Sequence, residues 1–212
     1  RLITLKESAW ASASNASAQE GFVHAAVASY ANNSGELDWA WNAFRQYAGD
    51  RTSSHSMTSN NTSWQYVASD PVGINDAGSV KNGCRMDGSL GNDMSRGGDF
   101  SCTPGHTSYP WVGLEGSVPA ALILHRAGYP AFEVASQAIK RSHDYLWNLH
   151  KTVDPYWWDA GASGGRADEV KHLVNTYYGT NYTVVYPVKS GRTFGFTDWT
   201  HPNKAAIDAT VV

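Results

Sequence analysis

What this chain lacks narrows its role first. It has no run of basic residues: 16 Lys and Arg are scattered among 19 Asp and Glu, for a net charge of −3. That balance excludes nucleic acid as a main partner, because phosphate binding needs clustered positive charge. It has no apolar run approaching the ~20 residues of a membrane-spanning helix, so no membrane partner is expected. Cysteine is nearly absent, with only Cys84 and Cys102. The eight histidines show no zinc spacing, and Asp87, Asp93 and Asp99 do not fit a calcium loop, so no metal or other cofactor is expected. G-A-S-G-G at 161–165 matches a serine-nucleophile pattern but has no strand before it, where that pattern needs one. Charged residues are few, at 17%, against 42% hydrophobic. This fits one globular domain over residues 1–212 rather than a disordered chain.

The residues that are present point outward from the cell. Two cysteines in one loop read as a disulfide, stabilising by roughly 3 kcal/mol in the simple chain-entropy picture, and a disulfide implies an oxidising compartment. Sequons at Asn15, Asn32, Asn60, Asn61 and Asn181 agree with secretion, and glycosylation is expected at Asn32, Asn60, Asn61 and Asn181. The chain begins at Arg1 rather than at a methionine, so it reads as a processed product or as a piece of a longer protein. Nine Trp and 11 Tyr stand against six Phe. Aromatic rings with a polar tip suit sugar-binding clefts and buried cores alike.

Apolar periodicity predicts helices over 9–31, with Phe22, Ala25, Ala26, Ser29 and Tyr30 on one face, and over 36–48, with Leu37, Trp41, Phe44 and Ala48 inward. A turn at Asn32–Gly35 makes these an αα-hairpin. A second hairpin is predicted from an almost wholly apolar helix at 110–127, kinked at Pro119 and ended by Gly128, and a helix running to about 150 through Val134, Ala138, Tyr145 and Leu149. A flexible link at Gly161–Gly165, a short helix at 167–178, a small strand at 182–188 and a compact aromatic end at 194–201 complete the chain. The fold class is all-α.

The chemistry concentrates between 82 and 116. Glycine is too dense there for a long helix, and Arg85, Asp87, Asp93, Arg96, Asp99, His106 and Tyr109 stand among the glycines. His106 follows Pro104-Gly105, and Tyr109 comes about one helical turn later, so the two can face one cleft as a proton-transfer pair. A guanidinium from Arg96 or Arg85 beside Tyr109 would favour the phenolate. His24, His143 and His150 lie on predicted helices and are expected to be structural.

Five segments, taken in order, carry a resemblance: G-C-R-M-D-G-S-L-G-N-D-M-S-R-G-G, G-H-T-S-Y-P-W-V-G-L-E-G, L-I-L-H-R-A-G-Y-P-A, N-T-Y-Y-G-T and F-T-D-W-T-H. The chain resembles the alginate-lyase-like polysaccharide lyases over about residues 12–201. The resemblance implies an incomplete (α/α)n toroid, with this chain as the C-terminal part of a larger catalytic domain, and β-elimination on an acidic polysaccharide of 1,4-linked uronates. It implies that Asn15 and Arg96 neutralise the uronate carboxylate and that His106 and Tyr109 move the protons, base and acid being set by the sugar's C5 configuration. Arg85, Trp111 and Tyr178, within the matching segments, are expected to bind substrate. Ala16 stands where the family carries an aromatic residue or histidine. Two competing expectations remain. One is a non-catalytic extracellular relative that binds glycans or assembles with other copies or with the missing part of its own domain. The other is a glycoside hydrolase using Asp87 and Glu115.

Overall fold

The computed structural model describes residues 6–158, 168–184 and 197–201. Helix dominates, as expected for the all-α class: α1 (Asn15–Tyr30), α2 (Ser34–Tyr47), α3 (Gly91–Met94), α4 (Tyr109–Arg126), α5 (Val134–Thr152), α6 (Asp168–Tyr178) and α7 (Thr197–Thr200), with 3-10 turns at Ser95–Gly97 and Pro155–Trp157. Among the described residues the sheet is a single antiparallel hairpin, β1 (Val80–Lys81) and β2 (Cys84–Arg85). Asn82 and Gly83 both have positive φ, of 51° and 79°, the conformation an Asn-Gly hairpin turn favours. The disulfide joins Cys84 to Cys102 as expected, so the hairpin is tied to the loop before α4.

The first helix starts later than its alanine content predicts. Ser14 caps α1 by accepting from Ser17 N–H, which satisfies an otherwise orphaned donor. Upstream, Trp10 takes a positive φ of 57° and buries its indole against Phe44 and Tyr47, at 5.7 and 4.8 Å between ring centroids. A Cβ on Gly21 would stand 2.0 Å from that ring, so the glycine opens the slot that the tryptophan fills. The buried face of α1 is Ser17, Ala18, Gly21, His24, Ala25 and Ala28. The apolar face predicted through Phe22 and Tyr30 is not the inner one, and Tyr30 is 93% exposed. Small residues win because α4 approaches closely: a Cβ on Gly116 would meet the backbone of Ala18 and Gln19 at 2.6 Å.

Asn33 caps α2 through Glu36 N–H, and Phe44, Tyr47 and Ala48 are buried while Leu37 and Trp41 are only half covered. As predicted, α4 is buried nearly all round; it continues as one helix past Pro119, where a kink was expected. It packs chiefly on α1, so the expected α4–α5 hairpin is sequential more than it is a packing unit. Of the expected strand at 182–188, residues 182–184 carry no strand pairing and the rest lies outside the described residues, as do the link at 161–165 and residues 194–196 of the aromatic end. Among the described residues no helix is long and apolar enough to cross a membrane. The tryptophans go largely to the core: Trp10, Trp64, Trp157 and Trp158 are fully buried.

The histidines expected to be structural take structural contacts. His24 pairs with Glu36 at 2.9 Å, His150 stacks on Trp147, and His143 is buried with Nδ1 2.9 Å from Ile139 O. Burial holds the His143 imidazole down at about 4. The unfolded chain takes up this proton near pH 6.5. The native chain lags, so this residue's contribution, about 3 kcal/mol, is complete above that pH and lost as pH falls towards the folded value. The difference in urea midpoint between wild type and His143→Gln, which removes the contributions of other titrating groups, should shrink as pH drops from about 7 to about 4.5. A difference that stays constant would show that His143 is not held neutral by burial.

Candidate functional site

The loop after β2 is drawn tight by backbone contact between glycines. A Cβ on Gly97 would lie 2.1 Å from Gly105 O, and one on Gly105 would lie 2.2 Å from Gly97 O. This approach brings the 3-10 turn at Ser95–Gly97 beside the start of α4. Arg96 consequently sits over the Tyr109 ring, its guanidinium carbon 5.0 Å from the centroid. Such a cation–π contact leaves the guanidinium edge free to donate. Among the described residues no carboxylate comes within ion-pair distance of Arg96. Both side chains are exposed, Tyr109 by 41%.

Arg96 forms one wall of a hollow of about 220 Å³ whose other walls are Asn60, Asn61, Asn92 and Ser95. The amides are fixed by their own bonds. Asn61 Nδ2 donates to Asp99 Oδ1 at 3.0 Å, and Asn92 Oδ1 accepts from Ser59 Oγ at 3.2 Å and from Asn60 N at 3.4 Å. Among the described residues, charge inside the hollow thus comes from the Arg96 guanidinium, set in a ring of amides and one hydroxyl.

Beneath it lies Asp93, fully buried on α3. Its Oδ1 accepts from both Asn15 N, at 3.0 Å, and Asn15 Nδ2, at 2.9 Å. Its Oδ2 and the Tyr47 hydroxyl are buried with no hydrogen-bond partner among the described residues. Both flank Gly113, where a Cβ would stand 2.5 Å from Oδ2 and 3.0 Å from the hydroxyl. Burial pushes the Asp93 carboxyl up to about 7, against the pull of the Asn15 bonds, of the Arg96 charge and of the neighbouring Asn92 amide. Burial, reinforced by the Asp93 charge, also pushes the Tyr47 hydroxyl well up.

Compared with family models, curated proteins and solved structures, the chain matches none. Of the residues expected to act together, the structure joins Arg96 to Tyr109, and it places Asn15 against Asp93, whose carboxyl feels the Arg96 charge. Asn15 differs from expectation in one respect: one of its two side-chain N–H donors is engaged by Asp93. His106 also differs. Its exposed ring stacks on Tyr156 at 4.2 Å and 10°, with Nε2 3.6 Å from Asp154 Oδ2, so its contacts run to the Pro155–Trp157 turn while those of Tyr109 run to Arg96.

The expected substrate-binding residues are placed elsewhere. Trp111 is buried, donating from Nε1 to Trp157 O at 3.1 Å. Its position on α4 that makes it part of the motif also turns it into the core. Tyr178 donates its hydroxyl to Phe132 O at 2.6 Å, and burial pushes that hydroxyl up. Arg85 donates to Asp87 O, and its charge acts on Tyr145 and Tyr182. Asp87 is engaged by Arg141 at 2.6 Å and Glu115 is 1% exposed, so they do not form the open pair a glycoside hydrolase requires. Of the sequons, Asn32 and Asn181 are exposed, while Asn60 and Asn61 stand in the wall of the hollow. No cluster of three or more His, Cys, Asp or Glu side chains suited to a metal occurs among the described residues.

Sequence reasoning missed Asp93 as a site residue and missed the amide wall. One signal was available: Asp93 stands in L-G-N-D-M, between apolar residues, where a carboxylate is costly to bury and needs partners.

Proposed function

We propose that this chain is a secreted polysaccharide lyase, cleaving a 1,4-linked uronate polymer of the alginate or glucuronan type by β-elimination. One observation carries the reading: Arg96, without a carboxylate partner among the described residues, lies across the Tyr109 ring on the wall of an amide-lined hollow. The C5 proton of a uronate is too weakly acidic to leave while its C6 carboxylate is fully charged. Arg96 would pair with that carboxylate, and the amides of Asn60, Asn61 and Asn92 with Ser95 would bind sugar hydroxyls. Tyr109 would then carry a proton at C5 or at O4. In the step, the C5–H bond breaks, its electrons form the C4=C5 double bond, and the C4–O4 bond breaks as O4 takes up a proton. His106 is the second proton carrier of this reading. The hollow is smaller than the ~300–1,000 Å³ of sites for drug-sized ligands, which suits a sugar ring. The helix pairs would belong to an incomplete toroid completed by the rest of its domain or by another copy, and the disulfide supports an extracellular setting.

The test is the near-ultraviolet absorbance of 4,5-unsaturated uronates during incubation with alginate and glucuronan. Arg96→Ala should lower turnover by about 10²–10³-fold, the usual cost of removing one stabiliser of developing charge. Tyr109→Phe should lower it by about 10²–10⁴-fold, the span of a lost proton carrier. No rise in absorbance with any uronate polymer sinks the enzyme reading. The engagement of the Asn15 backbone N–H and one side-chain N–H by Asp93 favours a second reading, a non-catalytic glycan-binding relative. It predicts that uronate oligomers bind, that Arg96→Ala abolishes binding, and that the absorbance never moves.

A further inference from the structure

Asp93 is a buried charge that the elimination does not use. Four elements meet at it: Asn15 from the start of α1, Tyr47 from the end of α2, Asn92 and Arg96 from α3 and the turn after it, and Gly113 from α4. Among the described residues the titratable or charged groups that act on it are Tyr47, which stays protonated, and Arg96. Its two oxygens are unequally used. Oδ1 accepts twice from Asn15, and Oδ2 has no partner among the described residues although it is sealed from solvent. An ionised carboxylate left half-satisfied in a dry site is unstable relative to its acid form. In the acid form the charge is gone and Oδ1 becomes a weaker acceptor for Asn15.

We propose that Asp93 is a proton-linked positioning residue of the Arg96 hollow: charged, it holds Asn15 and offsets Arg96; protonated, it loosens Asn15 and leaves the positive charge of Arg96 to an anionic ligand. Two consequences follow for an anion in the hollow. Repulsion from the Asp93 carboxylate disappears on protonation, and the Asn15 amide N–H that it holds is held less firmly. By reciprocity, an anion bound at Arg96 must favour the protonated form of Asp93, so binding takes up a proton. The site would therefore work best on the acid side of neutrality, as burial at Asp93 also indicates. This rests on reading the hollow as a carboxylate site, and its test separates the two.

The experiment is an NMR pH titration of the folded chain, following the Asp93 carboxyl carbon and the Asn15 side-chain amide, with and without glucuronate and mannuronate oligomers. The expected result is that the Asn15 amide shifts with the Asp93 midpoint and that uronate oligomers raise that midpoint. Affinity should fall roughly fivefold from about pH 6 to about pH 8, a modest coupling between neighbouring charges. Asp93→Asn keeps the shape and the acceptor for Asn15, so it should fold and bind with that pH dependence removed. If Asn15 tracks Asp93 but no uronate binds, the uronate reading fails and the positioning role stands. If Asn15 is indifferent to Asp93, or Asp93→Asn keeps the wild-type pH profile of binding, the proposal is overturned.

Discussion

Gly116→Val should leave little or no folded protein. The Cβ alone would stand 2.6 Å from Ala18 C and from Gln19 N, and 2.9 Å from Ala18 O. These are backbone atoms of α1, so no side chain can rotate away, and α1 and α4 would have to separate. Among the described elements that contact is the most extensive. Overpacking alone usually costs about 1–3 kcal/mol, and forcing two helix backbones apart should exceed that range, so a loss of more than about 3 kcal/mol is expected even for Gly116→Ala. Gly128→Ala is the comparison. Gly128 has a φ of +97° and nothing within 4 Å of its missing Cβ, so only backbone strain opposes alanine there, about 1 kcal/mol. Urea unfolding followed by circular dichroism measures both. Equal costs at the two positions would refute the close approach of α1 and α4.

Arg141→Met should cost about 3–5 kcal/mol, the usual penalty for breaking a buried ion pair. Arg141 is buried on α5 and reaches in two directions. Towards the long loop, Nη1 donates to Asn75 O at 2.8 Å and to Asp87 Oδ1 at 2.6 Å. Towards its own helix start, Nε donates to Ser136 O at 3.1 Å and Nη2 to Ala135 O at 2.9 Å. Ala135, Ser136 and Gln137 have φ of 48°, 55° and 58°, a left-handed run that costs roughly 1–2 kcal/mol per residue for L-amino acids. The guanidinium fork is what holds those carbonyls while also holding the loop. A lysine presents one point charge on a flexible stem and cannot span both sides, so Arg141→Lys should recover less than half of the loss. Stability within about 1 kcal/mol of wild type for Arg141→Met would show that the clamp is incidental. Limited proteolysis adds a local readout, since the variant should be cut between residues 75 and 88 before wild type is.

Much of this architecture was visible as pattern. Helix positions followed from apolar spacing, from the turn at Asn32–Gly35 and from Gly128, because turn chemistry acts within a few residues. The disulfide followed from there being only two cysteines. The hairpin at Asn82-Gly83 had a strong local signal that reading the whole segment as loop passed over. Failures came where neighbours decided. Trp10 interrupts an alanine-rich stretch because a slot exists at Gly21. Trp111 and Tyr178 sit in the expected motifs but face the core or a backbone carbonyl, and a motif does not fix which way a side chain points once the helix is packed.

By itself, the sequence determined the helical class, the cystine, and the concentration of ionisable groups between residues 82 and 116. Those are consequences of local propensity, composition and covalent chemistry. Only the tertiary structure decided that Arg96 lies over Tyr109, that His106 turns to Tyr156, and that Asn15 reaches across 78 residues to Asp93. The physical reason is that these pairings depend on how closely backbones approach, at Gly97 against Gly105 and at Gly113 above Asp93, and the closeness of two distant glycines is set by everything packed around them.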